Sequence, residues 1–470
     1  MSIATTNPAT GQVLKSYDPM SDEQIDAAIA RADQAFRQLH GTSVAQRGQW
    51  LTAAADLLDA ECDETARLMT TEMGKTYAAA KAEVTKCATA CRFYAAHAER
   101  MLADEPADAG AVKARRAFVR YQPIGPVLAV MPWNFPLWQV MRFAAPALMA
   151  GNTGLLKHAS NVPQTALYLE DVFRRAGFPE GAFSTLLVGS DAVDRILSDP
   201  RVRAATLTGS EGAGRSIAQI AGRELKKTVL ELGGSDPFVV MPSADLDKAA
   251  EVATTARCQN NGQSCIAAKR FIVHTDVFDA FAEKFAARMS ALRVGDPMDA
   301  DTDVGPLASE RGRDEIHAQV QDAVDNGATI LCGGEKPDGE GWYYPPTVVT
   351  DLRPEMRMWS EEVFGPVAGL YRASSYEEAI EIANGTSFGL GSNAWTTDPA
   401  EQERFATDLD AGNVFINGMT TSYPELPFGG VKNSGYGREL SAVGMREFCN
   451  TKTVWIGEGE AGAGAGAHSE

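Results

Sequence analysis

The chain has 470 residues, of which 44% are apolar and 22% charged, a composition that excludes both a disordered chain and a membrane protein. No run of about 18 apolar residues appears, so no helix spans a bilayer. A formal charge of −19, without any basic patch, argues against a nucleic-acid or anionic-membrane surface and requires any anionic ligand to be captured by a local cation.

The N-terminus, MSIATTNPATGQVLKSYDP, carries no basic region followed by an apolar stretch, and a cytoplasmic location is the expectation. Residues 21–40 open on Ser21 with Gln24 as a capping box and repeat apolar residues at Ile25, Ile29, Ala32, Phe36 and Leu39, the spacing of an amphipathic helix. Residues 43–101 continue as a helical region. From about 118 the texture turns to β-rich runs broken by Pro and Gly.

Short apolar runs then alternate with helical ones: TGLLKHA, QTALYLEDVFRRAG, FSTLLVGS, DAVDRILSD, AATLTGS, SIAQIAG and KTVLELGG. This alternation predicts a doubly wound parallel-sheet α/β domain, Rossmann-like, over 1–114 and 128–231. A second alternation, from DPFVVM through RFIVH and ATILCGG to NVFIN, predicts another α/β domain at 232–415. Residues 457–470, GEGEAGAGAGAHSE, read as a flexible low-complexity tail.

Seven cysteines are scattered without metal-type spacing, a pattern of reduced thiols, and no metal site is expected. In ATLTGSEGAGRS, Gly209 and Ser210 fall where a strand hands over to a helix, a junction that suits either phosphate or a plain structural turn. Cys265 follows QNNGQS. Either it is a small buried hydrophobe, as free Cys usually is, or it is a nucleophile on a polar loop that needs a base or favourable dipoles. Glu231, in VLELGG at a strand end, is the candidate base, or else a solvated carboxylate.

Taken together, PWNFP (132–136), LTGSEGAG (207–214), LELGG (230–234), GQSC (262–265), EEVFGPV (361–367) and PFGGVKNSGYGRE (427–439) resemble the NAD(P)-dependent aldehyde dehydrogenase family over about residues 5–456. The resemblance implies Cys265 as nucleophile, Glu231 as the base that activates water, and Asn134 as donor to the developing oxyanion. It places Trp133, Lys157, Gly209 and Ser210 around the adenosine and pyrophosphate, Leu232 against the nicotinamide, and Glu362 and Phe364 at its ribose and ring. Ser160 stands where NAD-preferring relatives have Glu, which favours NADP over NAD because no carboxylate repels the 2′-phosphate.

Relatives acting on succinate semialdehyde carry an Arg where this chain has Arg142, gripping the substrate carboxylate, with a hydroxyl partner at Ser422; Trp138 would limit pocket length. Gln259 departs from relatives that place a second Arg there, and Ala267 removes a Cys-x-Cys switch. The implied reaction is oxidation of succinate semialdehyde, a small carboxylated aldehyde; the alternatives are broader oxidation of glutarate semialdehyde or aliphatic aldehydes, or a non-catalytic NADP-binding protein. The family also implies a homodimer or homotetramer, through a β-hairpin at 115–127 and a strand within 430–456 that form an oligomerisation arm.

Overall fold

A computed structural model describes residues 2–458; from 459 onward the tail expected at 457–470 lies outside the described residues. The chain opens on an antiparallel pair, β1 (Ile3–Thr6) and β2 (Val13–Tyr17). Four helices follow: α1 (Asp22–His40), α2 (Val44–Ala60), α3 (Cys62–Met73) and α4 (Tyr77–Met101). Ser21 and Gln24 close the capping box, which satisfies two backbone donors that a helix start leaves orphaned. The helical region 43–101 divides where its signals say it should. Ser43 and Thr76 cap α2 and α4, and Gly74, at φ 84°, ends α3 in the left-handed conformation that other residues resist.

β3 (Glu105–Pro106) and β4 (Arg116–Pro123) precede β5 (Pro126–Met131). Strands and helices then alternate through α5 (Trp138–Ala150), β6 (Thr153–His158), α6 (Pro163–Arg175), β7 (Phe183–Thr185), α7 (Val193–Ser198), β8 (Ala204–Thr208), α8 (Glu211–Arg223) and β9 (Lys227–Glu231). The strands form a parallel sheet in the order β9-β8-β5-β6-β7, and β8 is buried along its whole length, as a sheet covered on both faces requires. No hairpin forms at 115–127. Both edges of β5 are taken, by β6 and β8, so β4 turns away to another sheet. Asn152 Oδ1 fixes that bend by accepting the N–H groups of Ile124 (2.9 Å) and Gly125 (3.2 Å).

Past β9 come β10 (Pro237–Val240), α9 (Leu246–Cys258), β11 (Arg270–His274), β12 (Thr329–Cys332), β13 (Thr347–Thr350), β14 (Val367–Ala373), β15 (Gly391–Trp395) and β16 (Asn413–Ile416). These strands build a second sheet, ordered β12-β13-β14-β11-β10-β15-β16 and parallel except for β12 against β13. β17 (Gly435–Tyr436) then returns to the first sheet, antiparallel to β9. A Cβ at Gly435 would fall 1.9 Å from the Leu230 carbonyl oxygen, so only glycine allows that approach. Finally β18 (Cys449–Ile456) pairs with β4 over its whole length, in a three-stranded sheet ordered β18-β4-β3. The strand expected within 430–456 therefore begins only at 449, because the residues before it are held against β9 and, through the helix Ser441–Glu447, against α5.

Candidate active site

The carboxyl ends of β5, β8 and β9 face one crevice, where open α/β sheets hold their ligands. Trp133 and Asn134 follow β5, Gly209 and Ser210 follow β8, and Leu232 follows β9. With Cys265, Glu362 and Phe364 they line one cavity of about 240 Å³. Eight residues named from the sequence thus meet in one place. The crevice suits a dinucleotide: Ser210 caps the thirteen-residue α8, whose first turn offers unpaired N–H groups and a positive dipole end to pyrophosphate. Around Gly212, in that turn, nothing lies within 4 Å of where a Cβ would stand. Trp133 and Phe364 close the far wall edge-to-face, ring centroids 5.8 Å apart. Lys157 and Ser160 lie outside this cavity, on and just past β6, the next strand along the sheet.

The loop that carries Cys265 is a buried loop and not a solvated one. Asn260 and Asn261 adopt left-handed conformations (φ 54° and 56°) and Gly262 follows at φ 73°, a run that Asn and Gly tolerate best. Side-chain bonds fix it. Asn261 Nδ2 donates to the carbonyls of Gly74 (2.8 Å) and Pro306 (3.0 Å), and Gln263 Oε1 accepts Ala308 N–H at 2.9 Å. Asn134 Nδ2 donates to Gln263 O at 3.1 Å while its Oδ1 has no partner; its second N–H is therefore open to a developing oxyanion. Lys269 Nζ donates to Ser264 O (2.9 Å) and Cys265 O (2.8 Å) and pairs with Glu362 at 3.3 Å.

Cys265 also borders a second cavity of about 230 Å³. That volume is small beside the roughly 300–1,000 Å³ of drug-sized sites. Trp138, Arg142 and Ser422 line it, as expected, together with Lys75, Lys86 and Gln259. Arg142 is buried and forms an ion pair with Glu439; its Nη2 donates to Thr208 Oγ1 at 3.4 Å and its guanidinium lies 4.6 Å from the Phe428 ring centre. Trp138 Nε1 donates to Ser422 Oγ at 2.9 Å, so the indole is fixed by a polar contact as well as by packing.

Two electrostatic features depart from the expected thiolate-and-base pair. Burial pushes the Cys265 thiol up to about 12, although Arg142 and Lys269 draw it down, so the resting sulfur carries its proton. Burial likewise raises Glu231 well above the carboxylate range, against the pull of Arg142. Glu231 lines neither cavity. Neither of its carboxyl oxygens has a hydrogen-bond partner, and Oε1 lies 2.8 Å from where a Cβ on Gly429 would stand.

Sequence reasoning passed over several members of the site. Lys86 sits in the long helix α4 and reads as a solvated lysine. Lys269 lies four residues past the thiol with no motif of its own. Gln139, which lines both cavities, carries no chemical signature in sequence. Among the described residues no cluster of three or more His, Cys, Asp or Glu is placed to hold a metal ion.

Residues 1–454 match the aldehyde dehydrogenase family. The chain is 68% identical to the succinate-semialdehyde dehydrogenase [NADP(+)] of Mycolicibacterium paratuberculosis (strain ATCC BAA-968 / K-10), over the full length of both. It is 67% identical to succinate-semialdehyde dehydrogenase [NADP(+)] 1 of Mycobacterium tuberculosis (strain ATCC 25618 / H37Rv), over 97% of this chain and all of that one. A solved structure of succinic semialdehyde dehydrogenase from Streptococcus pyogenes in complex with NADP+ superposes with a TM-score of 0.94 at 38% identity, covering 97% of this chain and 100% of the other.

Proposed function

The chain belongs to the aldehyde dehydrogenase family, and from that premise we propose that it oxidises succinate semialdehyde to succinate with NADP as the hydride acceptor. The observation that carries the reading is the position of Cys265, which borders both the crevice at the sheet's carboxyl edge and the small cavity beyond it. A nucleophile there meets an aldehyde on one side and a nicotinamide on the other. The substrate and cofactor agree with the names of relatives matched end to end at 68% identity.

The residues divide the work as follows. The Cys265 thiol gives its proton to water and Sγ bonds to the aldehyde carbon as the C=O π bond breaks; the carbonyl oxygen takes up charge beside the free N–H of Asn134 and the Cys265 backbone N–H. One such donor is worth about 10²–10³ in rate. Bound NADP supplies the two-electron acceptor for the aldehyde hydrogen. The thioester left on Sγ is then opened by water: the new C–O bond replaces C–S, Glu231 takes the water's proton and passes it to the departing sulfur, which leaves as the thiol. Glu231 faces Gly429 and Arg142 in this structure, so it must change rotamer to reach the thioester.

Ser160 and Lys157 at the end of β6 are the candidates for holding the 2′-phosphate, with hydroxyl and ammonium donors. A cytoplasmic homo-oligomer completes the reading, supported by seven unpaired cysteines, which suit a reducing compartment, and by the open edge of β18. The test is initial rates with succinate semialdehyde, glutarate semialdehyde and butanal, each with NADP and NAD. Succinate semialdehyde with NADP should give the highest kcat/KM, by about tenfold or more over butanal, and Cys265→Ala should abolish turnover while keeping NADP binding. Equal constants for succinate semialdehyde and butanal would overturn the substrate assignment.

A further inference from the structure

Three cations among the described residues line the small cavity, and two of them are paired with carboxylates. Lys75 is fully buried and ion-paired with Glu83; Arg142 is ion-paired with Glu439. Lys86, one turn further along α4 than Glu83, has no carboxylate within ion-pair distance among the described residues. Its Nζ donates to Ser422 Oγ at 2.9 Å and lies 4.3 Å from the ring centre of Trp138.

A donor inventory shows what this corner is built to hold. Ser422 Oγ accepts from both Lys86 Nζ and Trp138 Nε1, each at 2.9 Å. A hydroxyl has two lone pairs and one hydrogen, so both acceptor sites are used and its O–H is left to donate. An ammonium has three donors, and Lys86 spends one of them on Ser422. The corner therefore offers several N–H and O–H donors and a positive charge that no acceptor among the described residues takes up. A carboxylate, acceptor-only and anionic, is the complementary group.

We propose that Lys86 is a cation that grips the carboxylate of the substrate, with the Ser422 hydroxyl beside it. This specificity role rests on the succinate-semialdehyde reading. The electrostatics agree with the geometry: burial, and then Arg142, pull the Lys86 ammonium down to about 8, the mark of a charge that lacks a counter-ion. A bound carboxylate supplies one. The same device meets the problem set by the net charge of −19, because the anion is held by a local cation within a screening length of roughly 8 Å.

The experiment compares wild type with Lys86→Met, which keeps the stem and removes the charge, using succinate semialdehyde and butanal with NADP. The ratio of kcat/KM for succinate semialdehyde to that for butanal should fall about 20-fold or more, chiefly through KM. A ratio within about threefold of wild type overturns the proposal. Should Lys86→Met lose NADP binding through misfolding, Lys86→Gln, which retains a donor toward Ser422, takes its place with the same two readings. Wild type that shows no preference for succinate semialdehyde over butanal is a separate failure, of the functional reading itself.

Discussion

Two single groups in the site titrate in opposite senses, and that fixes a pH signature. The Cys265 thiol, pushed up to about 12 by burial and drawn down by Arg142 and Lys269, with Glu362 and Asp236 also acting on it, gains nucleophilic thiolate as pH rises. Lys86 is a cation below about 8 and loses its charge above it. The charged or titratable groups acting on it are Glu83 and Cys87 from its own helix and Arg142 from α5; Lys75 and the Cys265 thiol share its cavity. For butanal the thiol and the buried base Glu231 both gain their active forms as pH rises, the charge on Lys86 has no carboxylate to act on, and kcat/KM should climb between pH 7 and 10. For succinate semialdehyde the climb is offset above pH 8, and the ratio of the two constants should fall toward that of Lys86→Met. Paired pH profiles in one buffer series read this directly; profiles that stay parallel across pH 8 contradict the Lys86 titration.

At the scale of elements, the site depends on how α4 and α5 are joined. Glu83 Oε1 accepts the N–H groups of Leu137 (2.9 Å) and Trp138 (2.8 Å), so a carboxylate from α4 caps the start of α5, which carries Trp138 and Arg142 inward. Lys75 pairs with the same carboxylate, and burial lowers the Lys75 pKa while Glu83 holds it up. Glu83→Ala would leave an uncompensated buried ammonium and two orphaned backbone donors, at a cost of about 3–5 kcal/mol. The expected outcome is a fall in Tm together with a raised KM for succinate semialdehyde, checked by calorimetry and steady-state rates; an unchanged Tm would remove Glu83 as the cap.

None of this cap was legible in sequence, because Glu83 and Leu137 lie 54 positions apart and neither bears a motif. What could be read was local or repeated. The Ser21 capping box, the alternation of the first sheet, and the strand-end positions of Gly209 and Glu231 follow from spacing and turn chemistry, whereas Asn134 was reached only through the family resemblance. The supposed hairpin at 115–127 failed for the opposite reason. Strand propensity identifies β4 and β5 but not their partners, and β5 is claimed on both edges by strands that come later. Lys86 was missed on the same ground, since only tertiary packing turns it from solvent toward Trp138.

For the whole molecule, the open question is what covers β18. Its one strand neighbour among the described residues is β4, and Trp455 on it is 55% exposed. An unpaired edge is a template for another chain, and a second copy is the economical occupant because two-fold assembly is the commonest symmetric arrangement. The formal charge of −19 opposes that association through self-repulsion at low ionic strength. Two consequences can be measured by light scattering. Truncation after Phe448 removes β18 and leaves both large sheets with all their strands, so an assembly built through β18 should fall to monomer, and a truncated chain of unchanged assembly size would exclude β18 as the interface. In the intact chain, raising salt from about 0.01 M to 0.15 M shortens the screening length from about 30 to 8 Å and should tighten assembly. Weaker assembly at the higher salt would mean that complementary charges, and not an uncovered strand edge, hold the copies together.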